Sequence, residues 1–218
     1  MLVPFQVVRT QSKSTALYRI LRVKRAVCRR CDYPQSVCIC DLLCELVSSQ
    51  RIVILQHPSE ARHAKNSAKL IKLCIPESEI WLGESAEDFT GLQRSIKTRG
   101  GKVAVVYPNE DSVALESLCR KQRTSIDTLI LIDATWRKAY KVWQLNPWLK
   151  QYSSWHFATP PTSQYDIRKT SIAGGLSTLE ALAHALTLTQ EIDTSELVTT
   201  FGEMQNRVFA RHTSKRIT

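Results

Sequence analysis

The chain has 218 residues, 43% of them hydrophobic and 23% charged, which is the composition of a globular protein with room for one sizeable core. Its 30 lysines and arginines against 20 acidic residues give a formal net charge of +10. That sign favours a polyanionic partner, nucleic acid first and an anionic membrane surface second.

Neither a membrane span nor a secretion signal is predicted. No apolar stretch approaches the roughly 20 residues that a membrane-spanning helix needs, and the first ten residues lack the charge and apolar order of a signal peptide. Seven cysteines without a secretion signal indicate a reducing compartment, with thiols or metal ligation rather than disulfides. We therefore expect a cytoplasmic protein that has no membrane partner.

The N-terminal segment is strongly basic. Residues 1–31 carry eight lysines and arginines and no acidic residue, which is typical of a phosphate-binding surface. A solvated tail and an organelle transit peptide are the alternatives; a removable peptide would not need to lead directly into a cysteine cluster. The predicted RNA-binding residues of this segment are Arg22, Lys24, Arg25, Arg29 and Arg30.

Four closely spaced cysteines follow the basic run. Cys28, Cys31, Cys38 and Cys40 form C-x-x-C followed by C-x-C, a set of thiolates that suits one tetrahedral zinc ion. Such a site would be structural, because four thiolates leave no open position for water. A redox dithiol or buried free thiols are the alternatives, and Cys44 is a spare thiol that could replace one ligand. Residues 1–48 are predicted to form this basic, zinc-binding head.

From about residue 50 the sequence alternates apolar runs with helical patterns. Apolar runs of this kind alternating with helices predict an α/β domain over residues 49–218, with a mostly parallel sheet covered by helices on both faces. Predicted strands lie at 51–58, 78–83, 102–108, 128–133 and 153–159. Predicted helices lie at 60–73, 112–122, 135–145, 177–188 and 195–213.

Polar residues follow several of the predicted strands. Parallel sheets bind ligands beyond the carboxyl ends of their strands, so Asp133, His57 and the pair Tyr107-Pro108 are expected on one ligand-binding rim. Each of them taken singly also fits an ordinary transition from strand to loop. On the helix that follows Asp133, the aromatic residues Trp136, Tyr140 and Trp143 recur with the spacing of one face, which usually packs in a core.

A glycine pair precedes the helix predicted at 177–188. Gly174 and Gly175 let the backbone approach a ligand closely, and Ser177 with Glu180 has the spacing of a capping box. Arg168, shortly before the glycines, could hold a carboxylate or phosphate. Arg137 and Lys138 on the helix at 135–145 are further candidates for contact with RNA phosphates.

Taken in order, these motifs resemble the DTW-domain family, the tRNA-uridine aminocarboxypropyltransferases. The resemblance covers the cysteine head, "LQHPSE" with "KNSAKL", "VYPNE", the D-x-T-W motif at residues 133–136, "YDIRK" and "STLEALA". Ala134 stands where glycine would be expected, and residues 84–100 carry no family signature.

The resemblance implies a SPOUT-like fold in which a C-terminal trefoil knot forms the S-adenosylmethionine site. It implies transfer of the 3-amino-3-carboxypropyl group from S-adenosylmethionine to N3 of a tRNA uridine, at position 47 in the variable loop, with release of 5′-methylthioadenosine. Asp133 would act as the general base and Arg168 would hold the carboxylate of the transferred group. The implied cofactor-binding residues are His57, Tyr107, Pro108, Thr135, Trp136, Gly174, Gly175, Leu176, Ser177 and Thr178.

Two other functions remain open on the sequence alone. A SPOUT-type RNA methyltransferase would use the same S-adenosylmethionine and transfer a different carbon. A zinc-containing RNA-binding protein without catalytic activity would share the cysteine head and the positive charge. The resemblance allows either a monomer or a SPOUT-type homodimer.

Overall fold

The computed structural model describes residues 26–63, 66–164 and 175–209. The chain divides after Cys38 into two compact units. The described part of the first unit contains a 3-10 turn at Gln35–Val37 and an antiparallel bridge between Val27 and Pro34. The functional division predicted after residue 48, between a metal-binding head and a catalytic domain, stays a prediction.

The second unit is built on a six-stranded sheet in which every pair of neighbouring strands is parallel. This confirms the predicted α/β class with a parallel sheet. The order across the sheet is β2-β1-β5-β3-β6-β4. The strands are β1 (Arg51–Gln56), β2 (Glu79–Leu82), β3 (Val103–Val106), β4 (Val113–Ala114), β5 (Thr128–Asp133) and β6 (Ser153–His156).

Both faces of the central strands are buried. Val53, Val105 and Ile130 pack in one core with residues of the helices α3 (Thr90–Arg99) and α5 (Trp136–Leu145). The alternate residues, such as Ile54 and Leu129, are equally inaccessible, so helices must cover the opposite face as well. The helices are α1 (Pro58–Ala61), α2 (Ser67–Cys74), α3 (Thr90–Arg99), α4 (Arg120–Thr124), α5 (Trp136–Leu145), α6 (Thr178–Gln190) and α7 (Ser195–Phe209).

Two of the predicted helices were wrong, and one helix was missed. The helix expected at 60–73 is two helices, because Asn66 accepts a hydrogen bond from the Lys69 amide and starts α2 afresh. The helix expected at 112–122 is β4, a 3-10 turn at Leu115–Ser117 and the short α4, since Val113 pairs with a distant strand, β6. Helix α3 was not predicted at all. None of the described helices has the length and apolar character to cross a membrane.

Candidate active site and cysteine cluster

A cavity opens at the carboxyl ends of β3, β5 and β6, beside the start of α6. Its volume is about 350 Å³, within the range of small-molecule sites, and most of its wall is apolar or aromatic. Five residues predicted to bind the cofactor border it together, although the sequence scatters them over 72 positions. They are Tyr107, Pro108, Trp136, Leu176 and Thr178.

Other predicted residues lie near this cavity without bordering it. Thr135 is the N-cap of α5 and Ser177 is the N-cap of α6, while Gly175 is buried immediately before Leu176. His57 follows β1 on the same edge of the sheet, where its amide donates to the Asp133 carbonyl at 3.0 Å. Gly174 and Arg168 lie outside the described residues.

Asp133 ends β5 and is only 8% exposed. Its Oδ2 accepts a hydrogen bond from Nε2 of Gln56 at 2.7 Å, and its Oδ1 accepts one from Oγ1 of Thr178 at 2.5 Å. Gln56 is the residue paired with Asp133 on neighbouring β1, and it also donates to Oδ1 of Asn66 at 3.1 Å. The carboxylate therefore joins two strands to the start of α6, and through Gln56 to the start of α2.

The carboxylate of Asp133 faces away from the cavity. Its sequence neighbours Ile132 and Ala134 border the cavity, and successive side chains of a strand point to opposite faces. Thr178 contacts both places, because its side chain borders the cavity while its hydroxyl proton is donated to Asp133. Among the described residues, the hydroxyl of Thr178 thus links this buried carboxylate to the cavity.

His57 is held by a separate polar network. Its Nδ1 accepts from the Ser59 amide at 3.1 Å and caps α1, so its proton lies on Nε2, which donates to Glu84 at 2.9 Å. Glu84 also accepts from Nζ of Lys141 at 2.9 Å. The hydrogen bond from Lys141, followed by that from His57, holds the pKa of Glu84 below its ordinary value. This network ties the end of β1 to α5.

The start of α6 is fixed by a complete capping box. Oγ of Ser177 accepts from the Glu180 amide at 3.2 Å, and Glu180 accepts from the Ser177 amide at 2.8 Å, as the sequence spacing predicted. Glu180 is 4% exposed and also accepts from the hydroxyl of Ser163 at 3.0 Å and the amide of Gln164 at 2.6 Å. The helix start and the segment leaving the cavity at 163–164 are therefore held together.

His156, at the end of β6, is a cavity residue that the sequence analysis missed. Its Nδ1 lies 2.9 Å from Oγ of Ser112. In the neutral ring, with that hydroxyl donating to the Asn109 carbonyl at 2.7 Å, Nδ1 of His156 is the donor. The remaining nitrogen, Nε2, then carries a lone pair and can accept a hydrogen bond. A single histidine after a weak strand gives no spacing signal by which it could have been found.

A second cavity of about 490 Å³ lies along the open side of β6. It extends from Lys102 and Ser153 to Asp111 and Val113. Although it is larger, it borders neither Thr178 nor any residue of D-x-T-W. Ligand sites of parallel sheets lie beyond the carboxyl ends of the strands, so the smaller cavity is the better candidate.

The four predicted metal ligands come together in the structure. The sulfur atoms of Cys28, Cys31, Cys38 and Cys40 all lie within 4.8 Å of one another and could hold a metal ion. Sγ of Cys31 and Sγ of Cys38 are 3.7 Å apart, far longer than a disulfide bond. Asp32, between the first two thiols and the last two, has a left-handed backbone with φ of 55°, which turns the chain back on itself.

Cys44 does not belong to this group. It is buried with Cys74, and burial, followed by the neighbouring Cys44, raises the pKa of Cys74 to about 12. The thiol of Cys74 is therefore protonated at neutral pH and inert. The spare thiol of the sequence is therefore a packing partner in the second unit.

The predicted RNA-binding residues are spread over the chain. Arg29, Arg30 and Arg137 are exposed, whereas Lys138 is half-buried and its Nζ donates to Oγ of Ser59 at 2.5 Å. The remaining three, Arg22, Lys24 and Arg25, lie outside the described residues.

These features describe an α/β domain with a cavity at the carboxyl edge of its parallel sheet, and a four-cysteine cluster that precedes the sheet in the sequence. The chain belongs to the DTW-domain family, since residues 25–209 match the DTW domain. No solved structure matches the chain.

Curated relatives from animals and a plant carry the name tRNA-uridine aminocarboxypropyltransferase. Form 2 of Drosophila melanogaster is 33% identical over 171 residues, covering 75% of this chain and 66% of the relative. Form 2 of Macaca fascicularis is 28% identical over 172 residues, covering 77% and 58%. Form A of Arabidopsis thaliana is 28% identical over 141 residues, covering 53% and 49%. The chain thus spans about half to two thirds of the length of these relatives.

The contact between Gln56 and Asp133 predicts a specific pH dependence of stability. Gln56→Leu removes a buried donor to a carboxylate and should lower the free energy of unfolding by roughly 1–3 kcal/mol. Gln56→Glu places a second carboxylate beside that of Asp133, so at pH 7 it should lower the free energy of unfolding more than Gln56→Leu does. This loss of stability should become smaller as the pH falls and one of the two carboxylates takes up a proton. Urea unfolding between pH 7 and pH 4 measures both effects.

The matched control is Gln144→Leu on the exposed side of α5, which should change stability by less than about 0.5 kcal/mol. A Gln56→Glu protein as stable as the wild type at pH 7 would show that the two side chains are not in contact.

Proposed function

We propose that this protein is a tRNA-uridine aminocarboxypropyltransferase. It would transfer the 3-amino-3-carboxypropyl group of S-adenosylmethionine to N3 of a uridine in the tRNA variable loop and release 5′-methylthioadenosine. The observation that carries the proposal is the cavity at the edge of the sheet. It is bordered by Thr178, whose hydroxyl donates a hydrogen bond to Asp133. The names of the relatives support it, as do the family and the net charge of +10.

The chemistry requires one proton acceptor and accurate alignment. The N3–carbon bond forms as the carbon–sulfur bond of the sulfonium breaks, and the electron pair of that bond neutralises the sulfur. The leaving group is already activated, so orientation matters more than acid catalysis. The N3 proton must leave for the uridine to become a good nucleophile. We assign it to Asp133, through the hydroxyl of Thr178, which would pass on its own proton as it receives the one from N3.

The cavity offers a suitable wall for the donor. Tyr107 supplies aromatic surface for the adenosine, Leu176 supplies an apolar edge, and Trp136 borders the same cavity. Nε2 of His156, an acceptor in its neutral tautomer, suits the ammonium of the transferred group. Arg168 remains our candidate for its carboxylate, and a SPOUT-like knot remains our proposal for the segment that completes the site. His57, Thr135 and residues 174–177 are proposed to support the same site from its edges.

The cysteine cluster fits zinc in its geometry. A regular tetrahedral site with zinc–sulfur bonds of about 2.3 Å has neighbouring sulfur atoms about 3.8 Å apart. The distance between Cys31 and Cys38 is 3.7 Å, and all four sulfur atoms lie within 4.8 Å of one another, so small shifts would bring them to a zinc ion. Zinc bound there would be structural and would hold the basic flank that includes Arg29 and Arg30. We propose that this flank binds the tRNA backbone, in the cytoplasm.

The test of the function is to incubate the purified protein with unmodified tRNA and S-adenosylmethionine, and to analyse nucleosides and small products by mass spectrometry. The proposal requires 5′-methylthioadenosine and a uridine that has gained the aminocarboxypropyl mass. S-adenosylhomocysteine with a methylated nucleoside would instead identify an RNA methyltransferase. Neither product, with tRNA still bound, would identify an RNA-binding protein.

Asp133→Asn should bind S-adenosylmethionine nearly as well as the wild type. It keeps the shape of the side chain but removes the basic carboxylate, so transfer should slow by on the order of 10²–10⁴-fold. Single-turnover transfer rates and calorimetric binding of S-adenosylmethionine separate the two effects. A rate within about tenfold of the wild type would rule out this role.

Thr178 provides the matched pair for that experiment. Thr178→Val has nearly the same shape but no hydroxyl and should lose transfer to a similar degree, whereas Thr178→Ser keeps the hydroxyl and should retain most of it. Equal activity of the two variants would mean that no proton passes through this position.

The zinc prediction is that the purified protein holds about one zinc per chain. Cys28→Ser should lower this content and the thermal stability of the head, because metal binding contributes directly to folding at such sites. Elemental analysis with thermal unfolding measures both. Cys119→Ser, at an exposed thiol outside the cluster, is the control and should keep the full zinc content. A metal-free wild-type protein that is fully active would disprove the assignment.

A further inference from the structure

Two aromatic side chains are exposed side by side on α5. Trp136 is 37% exposed and Tyr140 is 60% exposed, and the other large hydrophobic residues exposed in the described part of the chain are aliphatic. The spacing of Trp136, Tyr140 and Trp143 suggested a core stripe, but only Trp143 is buried, at 6%. Large rings left in solvent on one helix face mark an interaction surface.

This aromatic face adjoins the cavity. Trp136 forms part of the cavity wall, and Tyr140 lies one helical turn further along the same side of α5. Burial, followed by the nearby hydroxyl of Tyr140, raises the pKa of Tyr107, and Tyr107 also borders the cavity. A group stacked on these rings would therefore sit next to whatever the cavity holds.

Positive charge flanks the two rings. Lys138 is bound to Ser59 and Lys141 to Glu84, so these two lysines are already used within the protein. Arg137 is exposed and has no polar partner in the described part of the chain. Exposed rings beside an available guanidinium are the combination by which proteins bind single-stranded nucleic acid, through base stacking and phosphate contact.

We propose that Trp136 and Tyr140 form a stacking platform for an unpaired nucleotide of the RNA substrate, with Arg137 contacting its phosphate. Only the identity of the base, the acceptor uridine, rests on the proposed function. Stacking would hold that uridine at the mouth of the cavity, where its N3 can approach the donor and Thr178. The platform also gives a reason for the exposure of two neighbouring aromatic rings to solvent.

The test is the binding of a short fluorescent oligouridylate, without S-adenosylmethionine, compared with an abasic strand of equal length and charge. Binding is measured by fluorescence anisotropy at one fixed salt concentration, and the electrostatic contribution cancels in the comparison because the two strands carry equal charge. The wild type should bind the oligouridylate on the order of tenfold more tightly than the abasic strand. Trp136→Ala and Tyr140→Ala should lose most of this difference, and Tyr140→Phe, which keeps the ring, should retain it.

Leu145→Ala is the matched control, because it removes exposed apolar surface from the same helix but no ring, and it should bind as the wild type does. Thermal unfolding confirms that each variant is folded. Equal binding of the two strands by the wild type would overturn the platform, as would Tyr140→Ala that still prefers the oligouridylate. The platform would also be overturned if Tyr140→Ala abolished self-association of the protein and left strand binding unchanged, since the rings would then belong to a protein interface. Transfer activity is not needed for any of these measurements, so a failed platform and a failed enzyme are distinguishable.

Discussion

A buried carboxylate at the end of β5 is the constraint on which the rest of the site depends. Asp133 is 8% exposed, and a charge in that position is tolerated only with hydrogen-bond donors around it. Two of these donors come from different elements, Gln56 on β1 and Thr178 on α6. Because Gln56 also bonds to Asn66 at the start of α2, satisfying one carboxylate fixes the relative positions of β1, β5, α2 and α6. The cavity lies beside this junction, and its shape depends on it.

In the same arrangement, the buried carboxylate of Asp133 is separated from the cavity where a ligand can bind. Among the described residues, Thr178 borders the cavity and also donates to Asp133, so its hydroxyl is the proposed route by which the carboxylate acts on a ligand. The cavity is also bordered by Tyr107 and His156, and in the neutral ring the contact with Ser112 leaves Nε2 of His156 as an acceptor. Such a wall orients a ligand by a few fixed polar atoms in apolar surroundings, which suits a reaction whose leaving group is already activated.

Local patterns in the sequence predicted much of this, and long-range contacts account for what it missed. Asp133 was predicted on the rim because an apolar run ends there, and Ser177 was predicted as a helix cap because the capping box is a local motif. The sequence around Val113 predicts a helix. It forms a strand because it pairs with β6, which is distant in the sequence and leaves no local signal. The helical spacing predicted that Tyr140 would be buried like Trp143, because spacing identifies a helix face but not what covers that face. His156 is a single residue without a motif, and only the fold brings it to the cavity.

The proposed function requires the donor to react in the cavity beside Thr178 and Asp133. A crystal structure of the protein with S-adenosylmethionine bound is the most direct test. We expect the adenosine to lie against Tyr107 and Leu176, with the aminocarboxypropyl carbon on the side of Thr178. A nucleoside bound instead in the larger cavity beside Lys102, or one whose methyl group faces Thr178, would contradict it.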